Sequence, residues 1–283
     1  MRGYKLEQSF LTSRREAKTE LVFFVNAGDP SLEVTFDMLR VLARHQVAAV
    51  ELCIPFLKSL TDGPLIRKSH QRALENGIDL PTVLDLVARA RDELGLAIVL
   101  LADYGHTVKP LGLERFLRMC CSAGASATLL HCMPPILRQE YVKQSAELGL
   151  GRIMSFFVGS DESIRQAAYQ EMEGFLYVVS RFGRTGQKVS FDAALLEQLR
   201  KLRAETEKPL AIGFGVKSAH DVATLRSTGA DAVIIGSAAT AVVQDNLDAP
   251  AQIAAGFDDL VGQLAMACTA NPSAYEVKTK RVG

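Results

Sequence analysis

The chain has 283 residues, of which 48% are hydrophobic and 23% are charged. Its 32 Lys and Arg residues are balanced by 32 Asp and Glu residues, so no net field would attract nucleic acid or an acidic membrane. The N-terminal stretch is highly charged and no later apolar run approaches the length of a membrane span, which predicts neither a signal peptide nor a transmembrane helix. We therefore expect a cytoplasmic protein that binds a small molecule or another neutral protein.

Segments of strand and helix character alternate along the chain from residue 21 onward. Residues 2–18, which precede them, predict a short amphipathic helix that flanks the lower end of the fold. The tail from about residue 271 is expected to be frayed. The predicted strands are 21–25, 47–54, 97–101, 127–130, 153–158, 174–179, 210–214 and 232–235. The predicted helices are 32–44, 66–76, 81–94, 113–123, 135–148, 160–170, 193–203, 219–227 and one that begins near residue 237.

The alternation of eight strands with helices indicates a parallel α/β fold. Right-handed crossovers at this regular spacing most economically close into a (β/α)8 TIM barrel with an extra N-terminal helix. An open, doubly wound sheet has the same alternation and is the alternative. Because no linker divides the sequence, we expect one domain over residues 1–283.

The cysteines and histidines predict no disulfide and no metal site. The cysteines are an odd set without a Cys-x-x-Cys spacing, as expected for reduced thiols in a cytoplasmic protein. They are Cys53, Cys120, Cys121, Cys132 and Cys268. The histidines have no metal-ligand spacing to one another, so surface or packing roles are expected. They are His45, His70, His106, His131 and His220.

Two carboxylates stand near the end of the second predicted strand. Glu51 lies inside the apolar run, where an unpaired carboxylate is costly, and Asp62 lies on the loop that follows Pro55. In a barrel, this end of the strands is the active face. Alone, Glu51 is equally consistent with a buried ion pair, and Asp62 is typical of a turn or helix N-cap acid. Together they form a candidate acid/base pair. Burial would raise the pKa of Glu51, whereas Asp62, on its loop, would stay ionised.

Three loops that contain glycine follow the sixth, seventh and eighth predicted strands. They span residues 180–186, 213–216 and 236–237. Glycine lets backbone N–H groups approach an anion closely, and Gly236-Ser237 at the start of a helix adds a helix N-terminus and a hydroxyl donor. Each loop alone is also consistent with an ordinary tight turn. Their shared position on one face favours a phosphate site, because barrels often bind phosphate after strands seven and eight.

Six segments between about residues 21 and 243 carry a family resemblance. They are FFVNAGDPS, VELCIPFLKSLTDGP, GLERFL, YVVSRFGRTG, GFGV and IIGSAAT. In order and spacing the chain resembles the alpha subunit of tryptophan synthase. The resemblance implies that a phosphorylated indole, indole-3-glycerol phosphate, is cleaved to indole and glyceraldehyde 3-phosphate. The reaction is a retro-aldol cleavage without metal or organic cofactor, and the family's partner is a beta subunit.

The resemblance also implies roles for individual residues. Glu51 is the catalytic acid/base and Asp62 is the base for the indole N–H. Support for the catalytic pair is implied at Thr185, which contacts Asp62, and at Tyr177. The indole pocket is implied at Phe24, Tyr104 and Tyr177. The phosphate site is implied at Gly186, Gly215, Gly236 and Ser237.

The chain departs from the family pattern at places that the resemblance assigns to the beta-subunit face or to the route that couples the two subunits. The departures are Lys58, Ser59, His106 and Cys132. The loop that holds Thr185 also gains bulk at Phe182 and charge at Arg184. This pattern predicts an altered docking face and a stand-alone lyase that serves secondary metabolism.

Several other functions stay open on the sequence alone. The first is a conventional alpha subunit in tryptophan biosynthesis with a co-adapted partner. The second is a related aldolase that acts on a modified indole or on another phosphorylated substrate. The third is a non-catalytic subunit that binds a phosphorylated ligand and regulates a synthase; two retained carboxylates argue against it, because a pure regulator has no need of a buried acid.

Overall fold

A computed structural model describes residues 2–179, 191–213 and 215–269. The strands are β1 (Glu20–Asn26), β2 (Ala49–Cys53), β3 (Ile98–Asp103), β4 (Ala127–His131), β5 (Gly151–Arg152), β6 (Met154–Phe157), β7 (Leu176–Val179), β8 (Leu210–Gly213) and β9 (Ala232–Ile235). The helices are α1 (Arg2–Arg15), α2 (Leu32–Arg44), α3 (Pro64–Glu75), α4 (Leu80–Leu94), α5 (Lys109–Leu111), α6 (Leu113–Ala123), α7 (Arg138–Glu147), α8 (Glu162–Glu171), α9 (Ala193–Glu205), α10 (Ala219–Arg226), α11 (Ser237–Asp245) and α12 (Ile253–Thr269). A π-helical turn covers Tyr104–Val108, and 3-10 turns cover Pro135–Leu137 and Pro250–Gln252.

The strands form one parallel sheet in the order β5-β4-β3-β2-β1-β9-β8-β7-β6. Its two end members, β5 and β6, are separated in sequence only by Ile153. The segment 151–157 therefore pairs with β4 at its start and with β7 at its end, which wraps the sheet into a nearly closed barrel. This closure confirms the predicted barrel against the alternative of an open sheet, since an open sheet keeps two separate edges.

Element boundaries agree closely with the prediction, with a few differences that have local causes. Helix α1 ends at Arg15, and Ala17 just beyond it adopts a φ of 55° that a right-handed helix does not allow. Residues 135–148 begin as a 3-10 turn, and α7 follows only from Arg138. The last predicted helix is two helices, α11 and α12, because the chain turns at Pro250 between them.

Two layers of apolar side chains hold the barrel together. One fills the space between the strands and the surrounding helices, and the other fills the interior of the barrel. At the N-terminal ends of the strands, α1 closes the interior, because Phe10 packs edge-on against Phe175 with ring centroids 5.4 Å apart. The predicted position of the N-terminal helix at the lower end of the barrel is confirmed. Within the described residues, no helix combines the length and apolar character needed to span a membrane.

Candidate active site

A cavity of about 480 Å³ opens at the carboxyl ends of the strands. Its wall is mainly apolar, as expected for a site that binds the aromatic part of a small molecule. The predicted site residues in this wall are Phe24, Glu51, Asp62, Tyr177, Gly215, Gly236 and Ser237. The fold thus brings residues from five separate parts of the sequence to one cavity.

Three further residues were predicted for this site. Two of them, Thr185 and Gly186, lie outside the described residues, as do Phe182 and Arg184 of the same loop. Tyr104 starts the π-helical turn after β3 and packs against the apolar layer between strands and helices, so it is absent from the described cavity wall. The structure therefore does not bring Tyr104 to the predicted indole pocket.

Glu51 stands in the middle of β2, in register with Phe24 of β1 and Val99 of β3. Its side chain is buried, with 1% of the residue exposed, although it lines the cavity. The Oε1 atom has no hydrogen-bond partner among the described residues, which argues against the alternative of a buried ion pair. Desolvation raises the pKa of Glu51 to about 8. Near neutral pH the group is therefore mainly a protonated acid that faces the cavity.

Asp62 has the opposite electrostatic character. Burial raises its pKa, but hydrogen bonds from His70 and Ser59 and the charge of His70 outweigh that effect and leave the pKa lowered. The Ser59 hydroxyl donates to Asp62 Oδ2 over 2.7 Å and accepts the Asp62 backbone N–H over 3.2 Å. The N-cap of α3 is Gly63, so Asp62 is not the N-cap acid of the alternative interpretation. Asp62 is an ionised acceptor at neutral pH.

His70 is a site residue that the sequence analysis missed. It is buried on α3, and its Nε2 lies 3.3 Å from Asp62 Oδ2. Its Nδ1 accepts the backbone N–H of Phe56 over 3.3 Å, so in the neutral ring the proton resides on Nε2 and is donated to Asp62. The Phe56 ring also packs against the imidazole with centroids 4.5 Å apart. The expected packing role of His70 therefore holds, and its hydrogen bond to Asp62 is a further role that the sequence analysis did not predict.

Ser59 also has a different position from the one expected. The residue is only 4% exposed and its hydroxyl is bonded to Asp62, so it belongs to the active site and does not face outward. Lys58, His106 and Cys132 are exposed, and Cys132 also lines the cavity. Within the loop between Pro55 and Gly63, Ser59 therefore holds Asp62 in place.

Tyr177 on β7 lies against Gly213 at the end of β8. A Cβ atom at position 213 would come within 2.4 Å of the tyrosine hydroxyl, so only glycine lets the ring occupy this place. Burial, reinforced by the charges of Glu51 and Asp62, raises the pKa of Tyr177 well above its usual value. The residue therefore keeps its hydroxyl proton and can donate a hydrogen bond inside the cavity.

The phosphate end of the predicted site is built from backbone. Gly236 caps the N-terminus of α11 and Ser237 is its first residue, so the first turn, whose N–H groups have no partner within the helix, borders the cavity. Gly215 follows β8 with a φ of 81°, a left-handed conformation that glycine adopts without strain. These groups offer donors and a positive helix end to an anion.

We expect Glu51→Gln to stabilise the protein increasingly as the pH rises. The folded-state pKa of Glu51 is about 8, above the ordinary value of 4.5. Between these two pH values the folded protein binds more protons than the unfolded chain, so its stability falls as the pH rises. Glutamine does not titrate and so avoids this loss. The free energy of unfolding of Glu51→Gln should exceed that of the wild type by at most about 5 kcal/mol above pH 8. Urea unfolding of both proteins at about pH 5 and about pH 9 measures it; an equal difference at both values would contradict the raised pKa.

Comparisons with known proteins agree with this geometry. The profile of the tryptophan synthase alpha chain family matches residues 10–269. Tryptophan synthase alpha chains from Trichormus variabilis and Geobacter sulfurreducens are 32% and 33% identical, over 82% and 83% of this chain and 87% and 88% of theirs. A chain of the tryptophan synthase complex from Pyrococcus furiosus superposes with a TM-score of 0.79 at 25% identity, over 87% of this chain and 98% of its own. The chain therefore belongs to the tryptophan synthase alpha chain family and is an enzyme, a lyase of the alpha type, as its sequence predicts.

Proposed function

We propose that the chain cleaves indole-3-glycerol phosphate to indole and glyceraldehyde 3-phosphate by acid/base catalysis. The observation that carries the proposal is the pair of carboxylates in one apolar cavity, of which Glu51 has a raised pKa and Asp62 a lowered one. Two acids whose pKa values are pushed apart can serve as proton donor and anionic acceptor at the same pH. The direct test is release of indole by the purified protein.

The protons balance over one turnover. Glu51 in its acid form gives its proton to indole C3, and the positive charge that develops on the ring is relieved at the N–H by the Asp62 carboxylate. Glu51 is then a carboxylate, and it takes the proton of the glycerol hydroxyl next to the ring. The bond between indole C3 and the carbon that carries this hydroxyl then breaks. That carbon becomes the aldehyde carbon, and the electron pair of the broken bond restores the indole ring. Glu51 ends as it began, and no electrons are gained or lost.

The apolar wall and the backbone donors divide substrate binding between two ends of the cavity. Phe24, Tyr177 and their apolar neighbours supply a surface for the indole ring. Gly215, Gly236 and Ser237 supply donors for the phosphate. On the resemblance alone, we assign Gly186 to the phosphate site and Thr185 to contact with Asp62. Because binding of the phosphate and transfer of protons use different residues, variants at the two ends should affect KM and kcat separately.

At the phosphate end, we expect Gly236→Asp to raise KM at least ~10-fold, because like charges brought together cost several kcal/mol. Among the described residues, the nearest neighbour of a Cβ at this position would be the Cβ of Phe24 at 3.8 Å, which leaves room for a side chain. Gly236→Ala is the matched control, since it adds the Cβ without the charge. Steady-state kinetics distinguish the two variants; an unchanged KM in Gly236→Asp would place the phosphate elsewhere.

We further propose that indole formation depends little on a beta subunit and that the free indole serves secondary metabolism. Lys58, His106 and Cys132 support this proposal, because they are exposed and depart from the family pattern. The conventional alternative is an alpha subunit that is slow alone because its loops close only against its partner.

Adding a tryptophan synthase beta subunit is expected to change the rate of indole formation less than ~5-fold, a coupling of at most ~1 kcal/mol. The measurement compares the purified chain alone and with excess beta subunit at saturating substrate. Strong activation, or a stable complex in size-exclusion chromatography, would contradict independence and favour the conventional alpha subunit.

A further inference from the structure

A second cluster of reactive side chains lies at the carboxyl ends of β3 and β4, beside the acid pair. It consists of Asp103, His131 and Cys132, each of which offers one ligand atom, and these atoms lie within 4.8 Å of one another. Asp103 and His131 are register partners on adjacent parallel strands, so their side chains leave the sheet on the same side. The pairing of β3 with β4 therefore brings Asp103 and His131 together.

The third member of the cluster joins through an unusual backbone conformation. Successive residues of a strand point to opposite faces, so Cys132 would point away from His131 if β4 continued. Cys132 instead has a φ of 55°, a left-handed conformation that is uncommon for residues other than glycine. Strained conformations of this kind occur preferentially at functional sites. Here the turn brings the thiol to the same point as the imidazole and the carboxylate.

One nitrogen, one sulfur and one oxygen form a ligand set suited to zinc and similar divalent metals. Three protein ligands leave a fourth position for water. Asp103 is already oriented, because its Oδ1 accepts the backbone N–H of His106 over 2.9 Å and lies 2.7 Å from His106 Nδ1. Thr61 orients His131 in the same way, with its hydroxyl 3.2 Å from Nε2. Such outer hydrogen bonds commonly fix metal ligands.

The charges around the thiol also favour a cation. The carboxylates of Asp103 and Asp62 lie close enough to interact electrostatically with the thiol of Cys132. A divalent ion would offset these negative charges. When the ion binds, a sulfur–metal bond forms and the thiol proton passes to solvent.

We propose that Asp103, His131 and Cys132 bind a zinc-type divalent metal at the mouth of the cavity and that this metal slows turnover. The second half rests on the proposed lyase function. His131 and Cys132 line the same cavity as Asp62, and His131 contacts the hydroxyl of Thr61, the residue before Asp62. A bound dication would therefore narrow the entrance and weaken Asp62 as an acceptor of positive charge.

Cobalt titration of the full-length, metal-free chain tests the site independently of activity. The wild type is expected to bind one equivalent of Co²⁺ and to show the absorption band of a thiolate–cobalt bond. Cys132→Ser should lose the band, and both it and His131→Asn should bind at least ~10-fold more weakly. Cys121→Ser is the matched control, because Cys121 is also partly exposed but lies on α6, and it should keep the band.

Absence of cobalt binding in the wild type, or a band that survives in Cys132→Ser, would overturn the site. The proposal that the metal slows turnover is tested by measuring indole formation with and without Zn²⁺. Each variant is compared with its own metal-free rate. We expect the wild type to slow several-fold and to recover with a chelator, and Cys132→Ser to respond much less. If Co²⁺ binds and Zn²⁺ leaves turnover unchanged, inhibition is refuted. A chain that binds Co²⁺ but releases no indole refutes the lyase function and retains the site.

Discussion

Glu51→Gln is expected to lower the rate of indole formation at least ~10²-fold, because a positioned acid/base group typically contributes 10²- to 10⁴-fold. Glutamine has nearly the shape of the protonated acid that occupies the cavity wall at neutral pH, but it cannot transfer a proton. KM should change little, since the proposed phosphate donors lie on the loops after β8 and β9. Steady-state kinetics at neutral pH measure both constants.

A matched control for Glu51→Gln is Glu7→Gln. Glu7 is also buried, but it lies on α1 at the opposite end of the barrel, where it pairs with Lys208. We expect Glu7→Gln to keep its rate, whatever its effect on stability. Near-normal turnover in Glu51→Gln would show that another group transfers the proton to the substrate and would remove the central acid from the mechanism.

Asp62→Asn is expected to lower kcat by a similar factor, at least ~10²-fold. The amide keeps most of the shape of the carboxylate but cannot offset the positive charge that develops on the indole ring. An asparagine carbonyl can still accept the Ser59 and His70 hydrogen bonds, so the loop should keep its fold. Equal unfolding temperatures with a reduced kcat would support this separation. Unchanged kcat would contradict the role of Asp62.

His70 acts through Asp62, so its replacement separates positioning from catalysis. His70→Asn should lower kcat about 10-fold, the value of one hydrogen bond to a charged group, and should raise the pKa of Asp62 because a hydrogen bond that lowers it is lost. The acidic limb of the rate profile should then move to higher pH. His45→Asn is the control, because His45 bonds to Asp258 on the outer surface. An unmoved acidic limb in His70→Asn would assign His70 a merely structural role.

The barrel was predictable because its sequence signals are local. The apolar runs and helical segments mark each strand and helix, and Glu51 is conspicuous because it interrupts one of these runs. The phosphate loops were likewise visible, since Gly215 and Gly236 stand directly after β8 and β9. These features need no knowledge of how distant residues pack.

The residues that escaped prediction depend on tertiary packing. His70 meets Asp62 only because the loop after β2 folds back onto α3, and Ser59 turns inward for the same reason. Tyr104 begins a π-helical turn and does not line the cavity, and the sequence contains no signal that predicts this turn. Cys132 reaches Asp103 because its own backbone is left-handed, a conformation that is uncommon for residues other than glycine. The loop with Thr185 and Gly186 lies outside the described residues, and its role stays a prediction.

The central claim is that this chain alone cleaves indole-3-glycerol phosphate with Glu51 and Asp62. The most direct measurement incubates the purified chain with this substrate, without a beta subunit, and quantifies indole and glyceraldehyde 3-phosphate. We expect equal amounts of both products from the wild type and at least ~10²-fold less from Glu51→Gln. No indole from the wild type, or equal rates from the wild type and Glu51→Gln, would contradict the account.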